Sequence, residues 1–176
     1  PFWVFDDSPL SRRFVAEADV DQMTTFGDVH KSVMEQMDCY CGVRGSDNKF
    51  EMAGLPAEQM KNYKKLFGEK VHMQERVPNT RWAVMRWPNA SMAQQSGKCT
   101  EEFEDFYFDV CTLDYAKMSA AMDKLVDRLH STDKVRIVAQ DTDISFSIKD
   151  IPAIKCDGKL NIPDGEVFTA PVKDSV

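Results

Sequence analysis

The sequence predicts an α/β protein in which a layered helix–sheet domain is followed by a β-rich segment. Two observations lead to this prediction. In the first two thirds of the chain, segments with helical periodicity alternate with short strand-like runs, which is typical of layered α/β domains. The last third, from Ile151 onward, consists of short extended segments separated by Pro and Gly. We therefore assign residues 1–133 to an α/β N-terminal domain and residues 134–176 to a β-rich segment.

Several helices are predicted from apolar residues at steps of three and four, the spacing of one helix face. The first covers Met23 to Met37, and the second begins at Pro56, where a proline in the first turn costs no hydrogen bond. Thr100 and Asp114 are the predicted N-caps of two further helices. Each of these helices has one apolar face with which to pack against a sheet or another helix.

The predicted strands are short. They are Phe2 to Phe5, which we interpret as a buried strand, then Asp38 to Gly45, Arg81 to Trp87, Val135 to Ala139 and Ile144 to Ile148. A tight Asp-Thr-Asp link is expected to join the last two.

Composition excludes several classes of partner. The net charge of the 176 residues is -7, and the positive residues are scattered, whereas a nucleic-acid partner requires a basic face. No run of about 18 apolar residues is present, so no membrane partner is predicted. An odd number of cysteines, five, in a chain of this size indicates reduced thiols and a cytoplasmic protein.

Both ends of the sequence predict a fragment of a longer polypeptide. The chain opens with the apolar run PFWVF and stops at APVKDSV, without the loose polar segments that commonly begin and end a domain.

Few residues are candidates for chemistry. Of three histidines, His30 lies on a predicted apolar helix face, as a core or boundary histidine does, and His72 and His130 are placed at helix ends, where a cation complements the dipole. Cys39 and Cys41 point to one side of a predicted strand, but a zinc site requires further ligands at recognisable spacing. Buried free thiols are therefore favoured over a metal site for this pair.

Glu166 is the remaining candidate. It follows a turn formed by Pro163, Asp164 and Gly165, and it begins a strand-like run. The backbone therefore holds its carboxylate in place, as a metal ligand requires. On spacing alone, an ordinary exposed glutamate at a strand edge is the favoured interpretation of this position.

The sequence resembles the thermophilic metallo-aminopeptidase family. The resemblance covers most of the chain from about Asp38 onward and is most specific in NIPDGEVFTAPVKDSV. Further segments match successive family blocks in order: RWAVMRWPNASMAQQSG, TEEFEDFYFDVCTLDYAKMSAAMD, KVRIVAQDTDISFSI and IPAIKCDGKLNIPDGEVFTAP. Many members have Glu or Thr where this chain has Asp164 and Gly165, a difference that changes the turn and leaves the glutamate in place.

The resemblance implies an enzyme that removes N-terminal residues from peptides with two adjacent zinc or cobalt ions. It implies that Glu166 is the first of five metal ligands, that no catalytic residue lies within the chain, and that the other ligands and a catalytic tyrosine follow Val176 in the missing catalytic domain. It further implies a homodimer and a peptide substrate with a free N-terminus. The isolated fragment is then expected to be inactive. The alternative is a non-catalytic binding or assembly module derived from the same family.

Overall fold

The computed structural model describes residues 2–176, which form two compact units, one extending to Asp105 and the other from Phe106 to Val176. Both contain helices and strands, so the predicted mixed α/β class is confirmed. A division into folding domains at Asp133 stays a prediction, because compactness does not test which segments fold independently. Across the described residues, no helix combines the length and the apolar character needed to span a membrane.

The first unit alternates helices with two strands. Its elements are α1 (Ser8–Glu17), α2 (Val20–Met34), β1 (Cys39–Arg44), α3 (Ala57–Tyr63), a π-helix (Lys64–Arg76), the short helical turn α4 (Val77–Asn79), β2 (Arg81–Arg86) and α5 (Ala90–Gln95). Helix α6 (Thr100–Cys111) contains the boundary between the units.

Local signals set the helix starts in this unit. The Asp7 carboxylate accepts a hydrogen bond from the backbone N–H of Leu10, and Asp19 forms a reciprocal capping box with Gln22. Pro56 precedes α3 as the sequence predicts, but the helix then continues into thirteen residues of π-helix, which periodicity did not predict.

The core of the first unit lies where α1 and α2 meet α3. Val15, Ala18 and Met23 are buried there, and partly buried apolar side chains cover them: Phe14, Leu55, Met60, Tyr63 and Leu66. Strands β1 and β2 pair in parallel, with Cys39 opposite Arg81 and Arg44 opposite Arg86. The strands predicted at these positions are confirmed.

The second unit contains one long helix and two antiparallel pairs of strands. Its elements are α7 (Tyr115–His130), β3 (Lys134–Ala139), β4 (Thr142–Ser147), β5 (Ile154–Cys156), β6 (Asn161–Ile162) and β7 (Glu166–Phe168). Asp114 caps α7 as predicted, through a 2.9 Å hydrogen bond from the Lys117 N–H. Strand β3 forms a hairpin with β4, and β5 pairs with β7.

The strand predicted at Phe2 to Phe5 is wrong. These residues belong to no strand, and their side chains are exposed, with Phe5 at 91%. A strand requires a neighbouring strand to accept and donate its backbone hydrogen bonds, and this segment has none within the described residues. Apolar content alone was therefore a poor guide to burial.

Candidate metal-ligand site at Glu166

Glu166 is the first residue of β7, the position that the sequence predicts. The preceding turn contains a cis peptide bond between Ile162 and Pro163, followed by Gly165 at a φ of 145°. Antiparallel pairing places Glu166 opposite Cys156, the last residue of β5. The backbone of Glu166 is thus fixed from two directions, by the turn before it and by the strand beside it.

Residues 157–165, which connect β5 to β7, form the loop before Glu166. Helix α7 contacts the start of this loop. Lys155 on β5 donates a 3.3 Å hydrogen bond to the carbonyl of Ser119 and forms a 2.6 Å ion pair with Asp123. Asp157, directly after β5, accepts 2.8 Å hydrogen bonds from the Ser119 hydroxyl and from the Lys159 ammonium group. The interaction with Lys159, followed by that with Ser119, lowers the pKa of Asp157, so this buried carboxylate is ionised at neutral pH.

The same helix contacts Asp164 and Gly165 at the end of the loop. The Tyr115 hydroxyl accepts a 3.4 Å hydrogen bond from the Asp164 N–H, and Asp164 Oδ2 accepts one of 3.3 Å from the Gly158 N–H. Gly165 packs against Met118, whose sulfur lies 3.3 Å from the place of a Cβ on that glycine. Residues 157–165 are therefore held to α7 at both ends, immediately next to the Cys156–Glu166 pair.

Gly158 is required by this packing. Its φ is +81°, and a Cβ on it would lie 2.4 Å from the Cδ1 atom of Tyr115. Only glycine adopts that conformation without strain and also leaves room for the ring.

The Glu166 carboxylate itself is exposed and unengaged. Within residues 2–176 it accepts no hydrogen bond and forms no ion pair, so its oxygen atoms are available as donors. Burial raises the pKa of the Cys156 thiol, and the negative charges of Asp164, Glu166 and Asp157 raise it further. Several carboxylates thus lie around Cys156 and Glu166, and their negative charge favours a cation over an anion.

These residues fit one side of a metal site and do not form a complete one. An unpaired carboxylate on a backbone held by strand pairing is a suitable ligand for zinc or for another divalent ion. In the part of the chain that the structure describes, however, no three His, Cys, Asp or Glu side chains are grouped to hold a metal. The expectation that Cys39 and Cys41 are buried thiols is wrong, because both are exposed on β1, and they belong to no such group either.

Of the three histidines, His72 has a role that differs from the prediction. His30 is half-buried and packs against Phe26 at 4.3 Å between ring centroids, as expected of a boundary residue. His72 was expected to be a cation at a helix end, which is wrong: burial, followed by the charges of Arg76, Arg44 and His30, lowers its pKa to about 4. Its Nδ1 atom accepts a 3.2 Å hydrogen bond from Arg76.

His130 ends α7, as predicted, but its ring serves as a hydrogen-bond acceptor. Its Nε2 atom accepts a 3.2 Å hydrogen bond from the N–H of Ala153, and this contact joins the end of α7 to the residue before β5. Whether a cationic His130 complements the helix dipole stays a prediction.

Sequence reasoning missed Tyr115, Ser119 and Asp157. The Asp-Gly dipeptide at 157 and 158 is a signal for a turn, and it could have identified the loop. No local signal connects that turn to α7, because the hydrogen bond between Ser119 and Asp157 joins residues that are 38 positions apart.

Comparison with known proteins gives one assignment. The sequence model of the thermophilic metalloprotease (M29) family matches residues 2–176. No match was found among the curated proteins.

Proposed function

Since the chain belongs to the thermophilic metalloprotease (M29) family, we propose that it contributes Glu166 to the two-metal site of an aminopeptidase. Family membership implies a metal-dependent hydrolase that cleaves peptide bonds. The aminopeptidase specificity, the use of two ions and the role of Glu166 are the parts that we add.

The exposed Glu166 carboxylate is the observation that carries the proposal. It begins a strand, it is fixed by a turn that α7 holds, and no described side chain neutralises it. Preorganised ligands bind metal ions more tightly, because little conformational freedom is lost when the ion binds. An ordinary surface glutamate does not require such support.

Glu166 acts as a ligand in this proposal, and we do not assign it the role of general base. Divalent metal ions, when bound, would activate water as the nucleophile and polarise the scissile carbonyl. Glu166 would contribute negatively charged oxygen donors, and the Asp164 carboxylate adds a second negative charge that, like Glu166, acts on Cys156. Zinc or cobalt suits a ligand set that mixes carboxylate with imidazole.

The proposal requires further donors from outside the 176 residues. One carboxylate does not hold a divalent ion tightly, because coordination needs several oriented ligands. We expect the isolated chain to bind metal weakly and to lack peptidase activity.

Three further features belong to the proposal. The substrate is a peptide with a free N-terminus, the complete protein is a homodimer, and it is located in the cytoplasm. Five free cysteines support a reducing compartment, because oxidising compartments favour disulfides.

Hydrolysis by the complete reading frame tests the function. Its product, loaded with zinc or cobalt, should cleave leucine p-nitroanilide, and Glu166→Gln should lower kcat/KM by at least about 100-fold through loss of a metal ligand. Glu101→Gln is the matched control, since Glu101 is an exposed glutamate on α6, and it should leave kcat/KM unchanged. A metal-loaded wild-type protein without peptidase activity would favour the non-catalytic module.

A further inference from the structure

Asp157 is one of two charged side chains that are buried among residues 2–176, and the other is Arg76. Asp157 is 7% exposed, yet it lies in a loop between two short strands. Burial of a carboxylate costs free energy unless hydrogen bonds or opposite charges compensate for it. A loop that only connected β5 to β7 could use a neutral turn residue at lower cost.

Two donors compensate for this burial, and they converge on one oxygen. The Ser119 hydroxyl and the Lys159 ammonium group both donate to Oδ2 of Asp157, at 2.8 Å each. Ser119 belongs to α7, whereas Lys159 belongs to the loop itself. Asp157 therefore joins the loop to the helix through hydrogen bonds that involve charged groups and are stronger than neutral ones.

This junction lies next to the Glu166 backbone. Cys156 directly precedes Asp157 and is the residue that pairs with Glu166 across β5 and β7. The Gly158 N–H donates a hydrogen bond to Asp164 Oδ2 and so joins the start of the loop to its end. A shift of Asp157 relative to α7 would consequently be transmitted to Glu166 along two short routes.

We propose that Asp157 is a positioning residue, which holds the Glu166 carboxylate in the geometry that a metal ion requires. This inference rests on the function proposed above, because it gives Asp157 a role only if Glu166 is a ligand. Asp157 touches neither metal nor substrate, and it acts through Ser119, Lys159 and the strand pair. Residues that orient a metal ligand are commonly worth about 10- to 100-fold in metal affinity.

Asp157→Asn is the direct test, made in the product of the complete reading frame. The amide keeps the shape of the side chain and one oxygen that can accept from both donors, but it removes the negative charge that pairs with Lys159 and strengthens these hydrogen bonds. Ser119→Ala is the milder second variant, since it removes one donor and retains the carboxylate. Asp143→Asn is the matched control, because it breaks an exposed carboxylate–arginine pair with Arg136 in the same unit.

The zinc dissociation constant and the visible absorption of the cobalt-loaded protein are the two readouts. We expect Asp157→Asn to raise the dissociation constant by roughly tenfold and to alter the cobalt bands, with a smaller change in the same direction for Ser119→Ala. The control should change neither. Amide hydrogen exchange at residues 164–168 of the metal-free protein should become faster in both test variants.

The outcomes distinguish this inference from the proposed function. If the wild type binds two ions, Glu166→Gln loses affinity, and both loop variants match the wild type in affinity and spectrum, then the positioning role of Asp157 is refuted and the function stands. If Glu166→Gln binds the ions as the wild type does, Glu166 is no ligand, and both ideas are refuted. Should Asp157→Asn not fold, the result for Ser119→Ala decides between these outcomes.

Discussion

Gly158 lies against the ring of Tyr115, so that a Cβ on this glycine would stand 2.4 Å from Cδ1 and 2.7 Å from Cε1. Tyr115 is the first residue of α7, and its hydroxyl also accepts the hydrogen bond from Asp164. One side chain thus fixes both ends of the loop that precedes Glu166. The stability of this contact can be tested without any metal.

Gly158→Ala should destabilise the protein strongly. Alanine would have to adopt a φ of +81° and would displace the Tyr115 ring, so we expect a loss of about 2–4 kcal/mol in the free energy of unfolding. Gly54→Ala is the control, because Gly54 has a φ of +75° but no atom within 4 Å of the added methyl group. It should cost only about 1 kcal/mol, from backbone strain. Equal losses for the two variants in urea titrations would show that the Tyr115 contact contributes nothing.

Gly27→Ala should destabilise the protein by disrupting the packing of α2 against the π-helix. A Cβ at Gly27 would lie 2.0 Å from the carbonyl oxygen of Leu66, which is a backbone atom and cannot move by rotating a side chain. We expect a loss of about 2–4 kcal/mol. Gly68→Ala, in the π-helix but with nothing within 4 Å, should be neutral or stabilise by up to about 1 kcal/mol, since alanine favours helix. Thermal and urea unfolding of both variants measure the difference, and a neutral Gly27→Ala would contradict the close approach.

Stability should fall in mild acid because of His72. Its pKa is lowered from 6.5 to about 4, so between these pH values the unfolded chain binds a proton that the folded chain does not. The stabilising contribution of neutral His72 is therefore complete above pH 6.5 and decreases as the pH falls towards 4. Because the ring is partly exposed to screening solvent, the expected loss is about 1–2 kcal/mol.

His72→Gln is the variant that checks this pH dependence. Glutamine can still accept a hydrogen bond from Arg76 and does not titrate. Urea unfolding at pH 4.5 and at pH 7 should show a smaller difference in the variant than in the wild type. An unchanged difference would mean that other groups cause the acid sensitivity.

Thiol reactivity should divide the five cysteines into two classes. Cys39, Cys41 and Cys99 are exposed, whereas burial raises the pKa of Cys111 and of Cys156. Because the thiolate is the reactive form, these last two should react more slowly with a disulfide reagent at pH 7. Peptide mapping of samples taken at successive times of labelling measures the reaction rate of each cysteine and so identifies the two classes. Fast modification of Cys156 would contradict the burial of β5 beside Glu166.

The sequence predicted the elements whose signals are local. The capping side chain of Asp114 and the strand run at residues 81–86 were identified correctly, because neighbouring residues determine them. The π-helix at Lys64–Arg76 was not predicted, since side-chain spacing does not fix the register of backbone hydrogen bonds. The lowered pKa of His72 was also missed, because it depends on the burial of the ring in the folded chain and then on the charges of Arg76 and Arg44.

At the candidate site, the strand start at Glu166 could be predicted from the Pro-Asp-Gly turn. The contacts with α7 that support this strand start could not be predicted. The hydrogen bond from Ser119 to Asp157 joins residues that are 38 positions apart, and no turn or cap signal encodes such a pairing. Sequence therefore identified the ligand candidate, and the structure added the helix that holds it.

A crystal structure of the complete reading-frame product, with anomalous scattering recorded at the zinc edge, tests the central claim most directly. The account predicts a zinc peak with an oxygen of Glu166 about 2.0–2.2 Å from it, and a second zinc about 3.5–4 Å from the first. Zinc bound elsewhere, with the Glu166 side chain extended into solvent, would contradict it.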